Sequence, residues 1–333
     1  MRFNKKFATR LNSFASKPEI FWNPNEKLTS TKLVQRAGTV KGLTHLDLNY
    51  PDHVVENFDE IISVMSDNDL LVNGLAMRYY TNPAFKLGAF TNPDKKIRQE
   101  AIDLTKKGID AAIKSGSNLM TIWLGQDGFD YGFQADYKKI WKDEIDGIRE
   151  VAEYNSECNI SIEYKPNEPR SYSLLPNLSS TLLAISQIGL TNLGVTLDFA
   201  HMLYADEQPA LSAAMVSTHS KLMGIHLNDG YAKRDDGLMV ASVHHQATIE
   251  LLYQIYKDDY NGVLYFDTFP DATGLDPVSE CETNINTVEK ILKIVEYLLA
   301  NNELSLSMQN QDAVRSQQIF NNALFDFKSN KDE

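Results

Sequence analysis

The sequence predicts an α/β protein, a single (β/α)8 TIM barrel with a C-terminal helical extension. Two observations lead there. Eight short β-type runs recur along the chain, and most connections between them are long enough to hold a helix. Parallel strands need such crossovers, and eight of them closing on themselves make a barrel. The rival is a doubly wound open sheet, whose dinucleotide-binding form calls for a glycine-rich loop after the first strand. Leu11-Asn12-Ser13-Phe14-Ala15-Ser16 contains no glycine.

Taken in order, residues 7–14 form the first expected strand. Thr29-Ser30-Thr31 can cap a helix that begins before Leu33. The second strand covers residues 43–50, and residues 56–65 then place Phe58, Ile61, Ile62 and Met65 at helical spacing. Strand three spans 71–78. Residues 97–115 repeat Ile102, Leu104, Ile109 and Ile113, with Gly108 weakening that helix slightly. Strand four is 118–125, followed by a helix over 141–154 with Ile145, Ile148 and Val151. Strands five to eight cover 159–165, 192–198, 222–228 and 262–267, with helical patterns at 175–188 and 249–256. The barrel domain is therefore expected over residues 1–298. Residues 299–333 are polar with scattered apolar side chains (Leu304, Leu306, Met308, Ile319, Phe320, Leu324, Phe325). They suit one or two appended helices, either an arm packing on another subunit of a homo-oligomer or a solvent-exposed tail.

Composition narrows the function classes. A chain of 333 residues with 43% hydrophobic and 10% aromatic residues has ample material for one large core. The net charge of −13 argues against a nucleic-acid partner and suits a protein that gathers cations. Cys158 and Cys281 are the only cysteines, too few for a disulfide framework or a cysteine-rich zinc site. A reducing cytosol is expected. Met1-Arg2-Phe3-Asn4-Lys5-Lys6 is followed by no apolar stretch of signal-peptide length, and no run approaches the roughly 18 apolar residues of a membrane span. The expectation is a soluble cytoplasmic protein with no membrane partner.

Barrel enzymes work at the carboxyl ends of their strands. The ends of strands five to eight are Glu163, Asp198, His226 and Asp267, each closing a largely apolar run. On four neighbouring strands they would converge at one rim. Three carboxylates and one imidazole suit a divalent ion, with the imidazole favouring Mn²⁺, Co²⁺ or Zn²⁺ over Mg²⁺. Lys165 lies two residues beyond Glu163, so the two point the same way from a strand. Such a pair can hold a metal and polarise an oxygen beside it, but taken alone it reads first as a plain salt bridge. His201, Asp235 and Asp236 form a second cluster that could hold a second ion with Asp198 bridging. A turn formed by Asp235 and Asp236 with Gly237 is the other reading.

Together these motifs resemble the xylose isomerase-like TIM-barrel superfamily over about residues 6 to 298. Glu163-Tyr164-Lys165-Pro166-Asn167-Glu168-Pro169-Arg170 resembles the segment of xylose isomerases that supplies a metal-binding glutamate and a catalytic lysine. Leu197-Asp198-Phe199-Ala200-His201 is similar to the next ligand strand, where a histidine three residues after the acid binds the second metal. His226-Leu227-Asn228-Asp229 is closer to the rhamnose isomerase branch, with a histidine as third ligand. Trp123-Leu124-Gly125-Gln126-Asp127-Gly128 is similar to the turn that walls the sugar pocket. Two departures stand out. The family's second-site aspartates are separated by one residue just before a leucine, whereas Asp235 and Asp236 are adjacent and Gly237 precedes Leu238. The ring-opening histidine is directly followed by an aspartate, whereas His45 is followed by Leu46.

The resemblance implies a divalent-metal-dependent aldose–ketose isomerase working by a 1,2-hydride shift on a small-molecule sugar. Its cofactor would be Mn²⁺ first, with Co²⁺, Mg²⁺ or Zn²⁺ as alternatives, and one or two ions. The implied metal ligands are Glu163, Asp198, His226 and Asp267, then His201, Asp235 and Asp236. Lys165, His45 and His201 are the expected catalytic residues, and Trp123, Asn167 and Glu168 are expected to contact the sugar. The rivals are a ketose 3-epimerase on the same barrel, a metal-dependent endonuclease, which would need a basic face, and a non-catalytic sugar-binding barrel.

Overall fold

The computed structural model describes residue 3, residues 5–54 and residues 57–325. Eight parallel strands close into a barrel: β1 (Phe7–Arg10), β2 (His45–Tyr50), β3 (Leu71–Met77), β4 (Leu119–Ile122), β6 (Asn159–Glu163), β8 (Leu193–Asp198), β9 (Leu222–Leu227) and β10 (Leu264–Phe266). Their order around the barrel follows the chain, and β10 pairs with β1 to close it. Two further two-residue strands, β5 (Gly128–Phe129) and β7 (Tyr172–Ser173), form an antiparallel pair over the rim.

Each barrel strand leads into a covering helix: Ser30–Ala37, Phe58–Asp67, Lys95–Ser115, Tyr137–Tyr154, Leu178–Ile188, Pro209–His219, His245–Lys257 and Pro277–Leu299. The expected cap is present, since the Thr29 side chain accepts from the Lys32 amide. The expected helix start at Glu56 lies outside the described residues. Two of these eight helices were not among those expected. Pro209–His219 has no clear amphipathic stripe: it buries Ala213 and Val216 while leaving Leu211 and Met215 exposed. Pro277–Leu299 does carry one, burying Ile285, Val288, Ile291, Leu292, Val295 and Leu298. Asn302–Gln309 and Ala313–Phe325 follow and bury Leu304, Ile319 and Ala323, so the C-terminal extension is two helices. Among the described residues no helix is long and apolar enough to cross a membrane.

Strand ends differ from expectation for local reasons. The first strand stops at Arg10, and Leu11–Ala15 tightens into a 3-10 turn that sends Leu11 and Phe14, three apart, into the core. The strand expected over 159–165 ends at Glu163, so Lys165 stands in the loop beyond. Gly108 is a packing residue rather than a weak spot. A Cβ there would lie 2.8 Å from Met120 Cε and 3.0 Å from Met77 Sδ, so a larger residue would make both methionine side chains shift where the Lys95–Ser115 helix packs on the barrel.

Candidate active site and metal centre

Glu163 ends β6, Asp198 ends β8, His226 is the penultimate residue of β9 and Asp267 directly follows β10. Register sets Asp198 opposite His226 across the β8–β9 pair, and the Asp267 amide donates to Leu227 O at 3.2 Å. One ligand atom from each of the four residues falls within 4.8 Å of all the others. His226 Nδ1 lies 3.4 Å from Glu163 Oε1, 3.8 Å from Asp267 Oδ2 and 3.9 Å from Asp198 Oδ2. That nitrogen is buried and has no hydrogen-bond partner. A buried imidazole nitrogen aimed at three carboxylates is the donor set a divalent transition ion takes, so the residues fit the metal that the sequence implies.

The cage is braced from behind. Asn228 Nδ2 donates to both Asp198 oxygens, at 3.2 and 3.0 Å, and to the Asp267 carbonyl at 3.1 Å. The His201 amide donates to Asp198 Oδ1 at 2.9 Å. Such outer contacts fix ligand orientation. Asn228 was quoted in the sequence motif but given no role there; its position, two residues after a ligand on an inward-facing strand, is the signal.

Electrostatics show how tightly the cluster is knit. Burial alone would raise the Glu163 carboxyl, but the His226 and His201 imidazoles overcome it and hold it down to about 2. Burial opposes charge on His226 too, yet Glu163, Asp267 and Asp198 lift it to about 9. Asp198 is pushed up to about 7, mainly by burial, with neighbouring carboxylates adding to it. Protons on imidazole thus stand where a cation's charge would compensate the carboxylates.

The second cluster is arranged differently from the sequence expectation. His201 Nε2 faces Asp235 Oδ2 at 3.1 Å, while His201 Nδ1 is 3.5 Å from Glu163 and 4.0 Å from Asp198. Glu163 Oε1, rather than Asp198, therefore lies between the two imidazoles. Asp236 is turned away: its carboxylate accepts from the Tyr231 amide at 2.9 Å and from Arg234 Nε at 2.8 Å, as a loop-closing turn. Among the described residues only the first four meet as a metal cage.

Lys165 is buried beside the cage. Its Nζ is 2.9 Å from Glu168 and 3.1 Å from Asp235, and 5.2 Å from the centroid of the Trp123 ring. Burial works against its charge, but Asp235 and Glu168 more than compensate, so it remains an ammonium. Trp123 walls the cavity with Tyr80, ring centroids 5.6 Å apart, and its Nε1 is buried without a partner. Gly125 makes room for that ring, since a Cβ there would stand 2.4 Å from it. Asn167 does not line the cavity; its Oδ1 accepts from the Tyr204 hydroxyl.

His45 is not brought to the site. It is the first residue of β2, at the opposite mouth of the barrel, where it lines a separate cavity of about 650 Å³ and its Nδ1 meets Thr44 Oγ1 at 2.8 Å. Two residues on, Asp47 reaches the floor of the active-site cavity, accepts from Asn73 Nδ2 at 2.7 Å and is pushed by burial up to about 7. The sequence did signal it, as a lone acid inside an apolar strand. The cavity, about 310 Å³, also takes in Arg10, Arg78, Tyr265 and Phe269, which sequence reasoning did not single out.

Beneath the Trp123 turn, Asp127 is fully buried and accepts from the Thr91 amide and hydroxyl, both at 2.6 Å. Glu144, also fully buried, has no partner for either carboxyl oxygen. Burial, with Asp127 adding, raises it well above its ordinary value of 4.5, so it is folded as the neutral acid. Above pH 4.5 the unfolded chain gives up this proton while the folded one keeps it, so stability falls as pH rises. Glu144→Gln cannot ionise. It is expected to melt above the parent at pH 8, by about 2–4 °C per kcal/mol recovered, with the gap narrowing toward pH 5. Thermal melts showing the same gap at both pH values would refute this.

Fold and site together define a parallel (β/α)8 barrel carrying a candidate metal centre at the carboxyl ends of four adjacent strands. The chain belongs to the xylose isomerase-like TIM barrel family, whose model matches residues 40–290. It is 26% identical over 222 residues to a xylose isomerase of Thermus thermophilus, a stretch that covers 65% of this chain and 57% of that protein. Two solved structures share the fold. A D-tagatose 3-epimerase-like protein superposes with a TM-score of 0.68 at 16% identity, covering 89% of this chain and 100% of that one. A D-allulose 3-epimerase from Methylomonas sp., in complex with D-allulose, gives 0.66 at 13% identity, covering 87% and 99%. At these identities the structural likeness speaks for fold alone.

Proposed function

We propose that this protein is a divalent-metal-dependent sugar isomerase that interconverts an aldose and a ketose. The observation that carries the reading is the buried Glu163–Asp198–His226–Asp267 cage with the Lys165 ammonium held beside it. The matched xylose isomerase supports the reaction class, and the family supports a small-molecule sugar as substrate. An ion in the cage, Mn²⁺ by preference of the donor set, would supply Lewis-acid polarisation of the sugar carbonyl and anchor the neighbouring oxygen.

The chain's own residues do the rest. Glu168 and Asp235 fix Lys165 Nζ so that it donates to the oxygen on which negative charge grows, a contact that strengthens in the transition state. Trp123 and Tyr80 wall the sugar from water. In the forward direction the C2–H bond breaks with its electron pair, which forms the new bond at C1. The O2 proton is lost and a proton is returned at O1. The Asp235 carboxylate, between Lys165 and His201, is the group placed to accept the one, and the Lys165 ammonium is placed to donate the other.

Turnover in D₂O followed by NMR tests this. The expected result is aldose–ketose interconversion with no solvent deuterium at C1 of the ketose or C2 of the aldose. Deuterium at C3 of an epimerised ketose would replace this reading with a 3-epimerase.

A further inference from the structure

We propose, on the basis of the sugar-isomerase reading, that the substrate is an acidic sugar whose carboxylate or phosphate, at the end remote from the reacting carbonyl, is bound by Arg78. Three permanent cations line the cavity. Lys165 is committed to Glu168 and Asp235. Arg10 stands 3.4 Å from Asp267 and 3.5 Å from Asp271, donates to the Thr268 carbonyl at 3.1 Å and lies over the Phe269 ring. Arg78 has no such commitments. Among the described residues its half-buried side chain makes no hydrogen bond and has no carboxylate within 4.0 Å, and its Nε is buried without a partner. The Tyr80 ring lies 5.8 Å from the guanidinium carbon. The titratable groups that feel its charge are Asp52, His53, Glu163 and Tyr265, and none of them pairs with it.

A guanidinium withdrawn from water with its donors unused is unfavourable until something satisfies it. A hydroxyl would accept one hydrogen bond and leave the charge uncompensated. A carboxylate or phosphate matches the donor fork in both charge and geometry. Topology gives the direction. Arg78 directly follows β3, which stands four places from β9 in the eight-strand ring, so Arg78 faces His226 across the cavity. A sugar with its carbonyl end at the cage would extend its far end toward Arg78.

The test is calorimetric binding to the Mn²⁺-loaded protein, using alditols, which cannot isomerise, of the xylose and glucose series, with the matched alditol phosphates and aldonates. One acidic class is expected to bind about 10- to 100-fold more tightly than the neutral alditol, and which class does so separates phosphate from carboxylate. Arg78→Gln should bring that ratio close to one, and Arg78→Lys should keep part of it, with circular dichroism confirming that both are folded. A neutral alditol that binds as tightly as its acidic partners overturns the acidic substrate and leaves the sugar reading standing. So does a preference that survives Arg78→Gln, which would place the anion at the metal end. If no compound binds, both readings fall together.

Discussion

Lys165→Met is expected to lower turnover by roughly 10²–10³-fold, the usual cost of removing one donor to a developing oxyanion, while the protein keeps its metal. The side chain is almost isosteric, and Lys165 lies outside the four-residue cage, so neither fold nor ligand set changes. What disappears is the ammonium at 2.9 Å from Glu168 and 3.1 Å from Asp235. Asp235 then has only His201 as a counter-charge at 3.1 Å, enough to keep it in place. Steady-state rates beside metal content by mass spectrometry give the answer. Loss of metal in step with loss of activity would mean that Lys165 is structural.

Glu163→Gln is expected to do the reverse, removing the metal first and activity as a consequence. Glu163 Oε1 is the carboxylate oxygen nearest His226 Nδ1, at 3.4 Å, and it is 3.5 Å from His201 Nδ1. An amide there gives up the negative charge and offers one neutral oxygen. Affinity for Mn²⁺ should fall by more than the roughly 10- to 100-fold typical of changes behind the ligands. Equilibrium dialysis of the chelated protein against Mn²⁺ measures it. Parent-like affinity would exclude Glu163 from the ligand set.

The sequence carried the site in proportion to how far strand ends determine it. Glu163, Asp198, His226 and Asp267 were legible because a polar residue closing an apolar strand has one place to go in a barrel, and adjacent strands bring such residues together. Positions beyond strand ends were less legible, because loops set their direction. Asp235 and Asp236 are neighbours in sequence, yet one pairs with His201 and Lys165 while the other closes a turn with Tyr231 and Arg234. His45 and Asp47 show the complementary limit. Both lie in the same strand, and alternation cannot tell which end of the barrel a residue occupies; register puts His45 at one mouth and Asp47 in the active-site cavity. Arg10 and Arg78 were missed because a cation at a strand end carries no motif, and only the cavity shows what surrounds it. In the fold, most of the amphipathic covering helices were visible; Pro277–Leu299 was passed over despite its stripe, and Pro209–His219 has no clear stripe to see, burying Ala213 and Val216 while exposing Leu211 and Met215.

The central claim is that Glu163, Asp198, His226 and Asp267 hold the ion on which sugar isomerisation depends. The most direct measurement is interconversion of an aldose and ketose panel, neutral and acidic, by the chelator-stripped protein before and after Mn²⁺, Co²⁺, Mg²⁺ or Zn²⁺ is restored. The predicted result is no turnover when stripped and recovery with at least one ion, Mn²⁺ foremost. Turnover that persists undiminished in the stripped protein, or interconversion that no ion restores, would contradict the account.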